Sequence, residues 1–162
     1  MDSLKKIVGV PVLKKKIAAL KKKRKKIAFT NGCFDILHYG HVNYLEKAKK
    51  DNRVLVVGIN SDSSIKRIKG DLRPILGQKE RTSLLAALAC VDFVTIFNED
   101  TPQKLIEAVK PDVLIKGADW KGKPIAGADF IQAYGGKVEF IKFIDGFSTT
   151  NIIQKILEKC RT

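Results

Sequence analysis

The sequence predicts an α/β protein: a mostly parallel sheet of five strands with helices on both faces. Three observations carry this. From residue 27 onward, short apolar runs alternate with segments of helical spacing, the pattern of successive βαβ units. One run, Arg53–Ile59 (RVLVVGI), is almost continuously apolar, as a strand buried on both faces must be. Turn and cap signals punctuate the runs at Asn31-Gly32, Thr101-Pro102, Pro111-Asp112 and Gly135-Gly136.

Taken in order, the first strand is Ile27–Thr30, and a helix with apolar positions Val42, Leu45 and Ala48 spans Tyr39–Lys50. After the strand Arg53–Ile59 come a short helix, Ser61–Ile68, and a Gly- and Pro-containing loop, Lys69–Gln78. Helix Lys79–Cys90 leads to strand Asp92–Phe97. Thr101 as N-cap and Pro102 at the first helical position start a helix that runs to Val109. Strand Val113–Lys116, a helix at Ala128–Tyr134, strand Lys137–Phe143 and helix Ser148–Lys159 complete the chain.

The 162 residues suit one domain, long enough to bury a core without staples. The three cysteines, Cys33, Cys90 and Cys160, are odd in number and widely spaced, which reads as reduced thiols. No apolar run approaches the roughly 18 residues of a membrane span, and Lys14–Lys16 interrupt any secretory stretch. A cytoplasmic protein without membrane partners is expected.

The net charge of +14 is unevenly spread: residues 1–26 contribute +10 and the rest +4. Residues 1–26 form a lysine-rich helical segment in which Leu4, Ile7, Val8, Val12, Leu13, Ile17 and Leu20 supply an apolar face, with Pro11 starting the longer helix. The run Lys21–Lys26 (KKKRKK) is of a type that binds nucleic acid. Without interleaved aromatics it reads instead as a solvated face, with only weak, salt-screened duplex binding expected.

In a parallel sheet, ligands bind beyond the carboxyl ends of the strands. After the first strand comes Thr30-Asn31-Gly32-Cys33-Phe34-Asp35-Ile36-Leu37-His38-Tyr39-Gly40-His41. It has neither a Walker lysine nor a GxGxxG fingerprint. It holds the chain's two histidines, His38 and His41, on one face of a helix start. Two imidazole donors beside the unpaired N–H groups of a helix N-terminus can grip phosphate oxygens, with Gly40 giving a nucleotide room at the backbone. A zinc site with Cys33 as third ligand has the right residue types but no C-x-x-C partner, so no protein-held metal is expected. Gly146-Phe147-Ser148-Thr149-Thr150 opens the last helix, another anion-capping N-terminus.

HYGH resembles the HxGH signature of the nucleotidyltransferase superfamily, and GFSTT resembles the triphosphate-binding G-x-S-T-T segment of cytidylyltransferase-like enzymes. The strings FTNGCFDILHYGHVNYLEKAK, GINSDSSIKRIKGDLRPI, ERTSLLAALACVDFV, NEDTPQKLIEAVKPDVLIKGADW, IAGADF and GGKVEFIKFIDGFSTTNIIQKI resemble, in order over residues 26–159, the bacterial ADP-heptose synthase adenylyltransferases.

The resemblance implies a Rossmann-like sheet of order 3-2-1-4-5 and a nucleotidyltransferase domain over residues 27–162. It implies transfer of AMP from ATP to D-glycero-β-D-manno-heptose 1-phosphate for surface glycan or lipopolysaccharide core synthesis. It further implies a stand-alone form without the kinase domain, a homodimer, and Mg²⁺ carried mainly by the ATP phosphates. His38 and His41 would bind phosphates, helped by Lys69 or Lys66 and by Arg81. Thr30, Gly32, Cys33 and Phe34 would line the nucleotide, Asp35 and Asp62 the sugar, and Asp119 and Trp120 the base or sugar. The nearest alternative, a glycerol-3-phosphate cytidylyltransferase, typically carries R-T-E before G-x-S-T-T, where this chain has Phe143-Ile144-Asp145.

Overall fold

The computed structural model describes residues 2–50, 52–144 and 146–160; Asp145 of the segment before GFSTT lies outside them. Five parallel strands, β1 (Lys26–Gly32), β2 (Arg53–Asn60), β3 (Phe93–Phe97), β4 (Val113–Gly117) and β5 (Lys137–Ile141), form one sheet of order β3-β2-β1-β4-β5. This is the expected order, with β1 at its centre paired in register with β2 and β4.

Alternation along the strands divides the core into two layers. Ala28, Leu55, Val57 and Ile115 point to one face and pack with Tyr44, Leu45 and Ala48 of α2 (Tyr39–Ala48) and Leu85 and Ala86 of α4 (Gln78–Ala87). Ile27, Phe29, Val56 and Leu114 point to the other and pack with α1 (Val10–Lys22), α5 (Gln103–Val109) and α6 (Ala128–Gln132). The N-terminal segment is therefore part of this architecture: Leu13 and Ile17 are buried while Lys14, Lys15 and Lys16 face solvent. Its basic run is also tied down. Lys21 donates to the carbonyl of Lys110, and Lys25 to the side-chain oxygen of Asn52. Ahead of α1, Ile7 forms a parallel bridge to Val94 and the Val8 N–H donates to the Val94 carbonyl at 2.9 Å. That covers the open edge of β3.

Several boundaries move, each for a local reason. Thr101 does not cap: α5 starts at Gln103 with Pro102 at the N-cap and no side-chain cap bond, and Thr101 stands in the wall of the cavity described below. Helix α3 (Asp62–Lys69) starts one residue late because Ser61 is its cap, its hydroxyl accepting from the Ser64 N–H at 3.1 Å. Helix α4 ends at Ala87, where Leu88 turns extended. Helix α6 ends at Gln132, short of Tyr134, before the left-handed Gly135. Strand β5 ends at Ile141, and Phe143 leaves the sheet to stack on Tyr44 at 5.1 Å. Helix α7 (Thr149–Lys159) is capped by Ser148. No helix among the described residues is long and apolar enough to cross a membrane.

Leu13 is fully buried, so Leu13→Ala should cost about 2–5 kcal/mol. Lys15→Ala, on the solvent face, should stay within about 0.5 kcal/mol. Urea denaturation of the two variants separates a docked helix from an appended basic tail.

Candidate active site

Beyond the carboxyl ends of the strands lies a cavity of about 560 Å³, within the range of small-molecule sites. The connection from β1 to α2 forms its floor. Two non-glycine residues there, Phe34 (φ 48°) and Ile36 (φ 51°), hold left-handed backbone, a costly conformation that persists only where neighbours enforce it.

Three ties enforce it. The buried Asp35 carboxylate accepts from the backbone N–H of Ile75 (3.0 Å) and Leu76 (3.0 Å) and pairs with Arg73 at 3.0 Å. The Asp35 carbonyl accepts from the Thr149 hydroxyl at 2.6 Å, fastening the start of α7 onto the same turn. Arg81, 1% exposed, donates to the carbonyls of Cys33 (2.6 Å), Leu76 (3.0 Å) and Asn60 (2.9 Å) and to the Asp62 carboxylate (2.7 Å).

The expected site residues divide accordingly. Gly32, Cys33, Phe34, Asp35 and His41 lie on the cavity wall, as do Lys69, Trp120 and Thr149. Arg81 is not among the wall residues; its guanidinium donates to the surrounding loops from Nε, Nη1 and Nη2. Asp62 is engaged too, by Arg81 and by the Gln78 N–H at 3.0 Å. Of the two lysines of IKRIKG, Lys69 at the end of α3 lines the cavity and Lys66 does not. The buried Thr30 hydroxyl bonds the Tyr44 hydroxyl at 2.8 Å. Asp119 is exposed beside the wall. Of GFSTT, Thr149 faces the cavity, Ser148 caps α7, Phe147 packs edge-on against Tyr39 at 5.2 Å, and Gly146 and Thr150 are exposed.

His38 is the N-cap of α2. Its Nδ1 accepts from the His41 N–H at 3.4 Å, which leaves the proton on Nε2 as the outward donor. The two rings stack at 3.8 Å and 19°. A Cβ on Gly40 would come 3.0 Å from Phe147 Cβ and 3.1 Å from the His38 ring. The glycine thus makes room for these contacts within the protein. Burial, the neighbouring His38 and the Lys69 charge push His41 down to about 4, so its imidazole is neutral at pH 7. Burial also pushes the Cys33 thiol up, which disfavours a nucleophilic thiolate.

Sequence reasoning passed over Lys116, read only as the end of a strand. It is 6% exposed, lines the cavity, donates to Asn31 Oδ1 at 2.6 Å and lies 5.1 Å from the centre of the Trp120 ring. Burial lowers its pKa to about 8, while Asp119 pulls it upward. The available signal was a lysine closing the otherwise apolar run VLIKG.

A family model described as cytidylyltransferase-like matches residues 29–155, most of the chain. The chain belongs to the cytidylyltransferase-like family. Among curated proteins it is 54% identical over 156 residues to the bifunctional protein HldE of Geobacter metallireducens, covering 96% of this chain and 32% of that protein. It is 55% identical over 143 residues to the bifunctional protein HldE of Campylobacter jejuni subsp. doylei, covering 88% and 30%. The chain thus spans about a third of the length of the curated relatives it matches. Among solved structures, it is similar to a lipopolysaccharide core biosynthesis protein from Thermoplasma volcanium. That match has 32% identity and a TM-score of 0.60, and covers 74% of this chain and 96% of that one.

Two outcomes follow. Arg81→Met removes a donor from Asp62 and from three carbonyls and should cost about 3–5 kcal/mol in urea denaturation. For His41, the folded value lies below the ordinary 6.5, so between about 4 and 6.5 the unfolded chain binds the extra proton. Stability should therefore fall as pH drops through that window, and urea midpoints should fall less for His41→Gln than for the wild type.

Proposed function

We propose that this chain is a nucleotidyltransferase that moves AMP from ATP to D-glycero-β-D-manno-heptose 1-phosphate, giving ADP-heptose and pyrophosphate. The observation that carries the reading is the convergence of His41, Lys69 and Thr149 on one cavity at the carboxyl end of a cytidylyltransferase-like sheet. The HldE relatives and the lipopolysaccharide core biosynthesis protein support the choice of substrate and a role in surface glycan synthesis.

In this reading an oxygen of the sugar phosphate attacks the α-phosphorus in line. The bond from that phosphorus to the oxygen bridging it to the β-phosphorus breaks, and pyrophosphate leaves. Catalysis is positioning plus charge stabilisation, without a covalent enzyme intermediate. The triphosphate sits at the N-termini of α2 and α7, which present backbone N–H groups, with Thr149 on the wall. His38 donates from Nε2, neutral His41 donates a single hydrogen bond, and Lys69 supplies positive charge as the leaving group gains negative charge.

The donor set suits a Mg²⁺ that arrives on the phosphates. Of the carboxylates on the wall, Asp35 is engaged by Ile75, Leu76 and Arg73, and Asp100 pairs with Arg67 at 2.8 Å. A phosphate-borne Mg²⁺ keeps its waters and needs few protein ligands; when bound it neutralises phosphate charge. The reading places the enzyme in the cytoplasm, where ATP is, as a homodimer.

Pyrophosphate release with Mg²⁺ should require ATP together with the heptose 1-phosphate, and CTP with glycerol 3-phosphate should give none. Release with the latter pair would move the chain to cytidylyl transfer. His38→Ala and His41→Ala should each lower turnover by about 10²–10³-fold with circular dichroism unchanged. Near-normal turnover in both would remove the histidines from the reaction.

A further inference from the structure

The proposed reaction brings two anions into one cavity, and His41, Lys69 and Thr149 account for only one of them. Strand alternation places the remaining cation. Thr30 of β1 points toward α2, where it meets Tyr44, and Ile115 of β4 points to the same layer. Their successors, Asn31 and Lys116, therefore project toward the opposite face, and the 2.6 Å bond between them joins the two strand ends there. Lys116 thus reaches the cavity from the face opposite to the helices that carry HYGH and GFSTT.

Its surroundings are unusual for a lysine. The side chain is more than nine-tenths buried. Among the described residues, none of the ion pairs joins it to a carboxylate. An ammonium has three donors. The neutral Asn31 oxygen takes one and the Trp120 ring faces the charge, which leaves a donor for an occupant of the cavity. The Asp119 carboxylate acts on it without forming an ion pair, and an anion in direct contact would offset the charge of this buried ammonium more closely.

We propose that Lys116 binds the phosphate of the acceptor substrate. This rests on the nucleotidyl-transfer reading and deepens it. In-line displacement puts the attacking oxygen and the departing pyrophosphate on opposite sides of the α-phosphorus. The triphosphate held on the α2 and α7 side therefore requires the acceptor phosphate to come from the other face. There Lys116 draws it in and offsets its charge against that of the triphosphate, and Asn31 holds the amine in place.

Trp120, the chain's single tryptophan, lies against Lys116 and reports occupancy directly. The intact wild-type, Lys116→Met and Lys116→Arg proteins would be titrated separately with D-glycero-β-D-manno-heptose 1-phosphate and with Mg-ATP, following Trp120 emission. Each would first be shown by thermal melting to be folded. Lys116→Met should weaken sugar-phosphate binding about tenfold or more, the loss of one charge-assisted hydrogen bond, and leave ATP within about twofold; Lys116→Arg should restore most of the loss. Unchanged sugar-phosphate affinity in Lys116→Met, or an equal loss of ATP affinity, overturns the inference. Wild-type protein that binds ATP but no sugar phosphate also overturns it, yet leaves nucleotidyl transfer to another acceptor standing. Lys116-dependent sugar-phosphate binding without pyrophosphate release supports the inference and removes the proposed reaction.

Discussion

Arg81 reaches across the carboxyl end of the sheet from α4 and bonds at once to the β1 loop, the end of β2, the start of α3 and its own entry loop. Parallel strands end in separate loops with no hydrogen bonds of their own between them, so something must hold those loops at a common level. A buried guanidinium suits this, because its planar fork serves several carbonyls at fixed angles. The left-handed turn at Phe34 and Ile36 depends on that restraint. So does the direction of α2, and with it the stacked histidines. The Asp35 ties to residues 75 and 76 and to Thr149 complete the frame.

Within this frame the cavity has a simple electrostatic plan. Its carboxylates are already matched to cations or backbone donors, whereas Lys69 and Lys116 stand on its wall. Burial lowers both His41 and Lys116; His38 and Lys69 push His41 down further, while Asp119 pulls Lys116 upward. Phosphate would add negative charge beside both, and the cavity is in this sense prepared for anions before any arrive.

The sheet was legible because β2, buried on both faces, writes itself as a long apolar run and turn signals bound the other strands; all five were found in place to within two residues at either end. HYGH drew attention because two histidines around a glycine at a strand end have few structural explanations, and the fold places His41 in the cavity wall. The hydrogen bonds of Arg81 and Asp62 were not legible, since a charged residue on a helix reads the same whether it faces solvent, phosphate or a neighbouring loop; only the fold brings Arg81 to the Cys33 carbonyl. Lys116 was hidden by its strand, where a charge at the end of an apolar run looks like an exit to water. Thr101-Pro102 misled because it has the local chemistry of a helix start, whereas α5 begins one residue later with Pro102 at the N-cap and no side-chain cap.

The loop after α3 is fastened unevenly. From Arg73 onward it is gripped through Asp35, while residues 70–72 carry no such tie and Leu72 stands 90% exposed. Exchanges at that tip touch none of the hydrogen bonds and ion pairs that hold the turn leading to the histidines. The same separation marks residues 70–72 as a place where the chain tolerates an insertion.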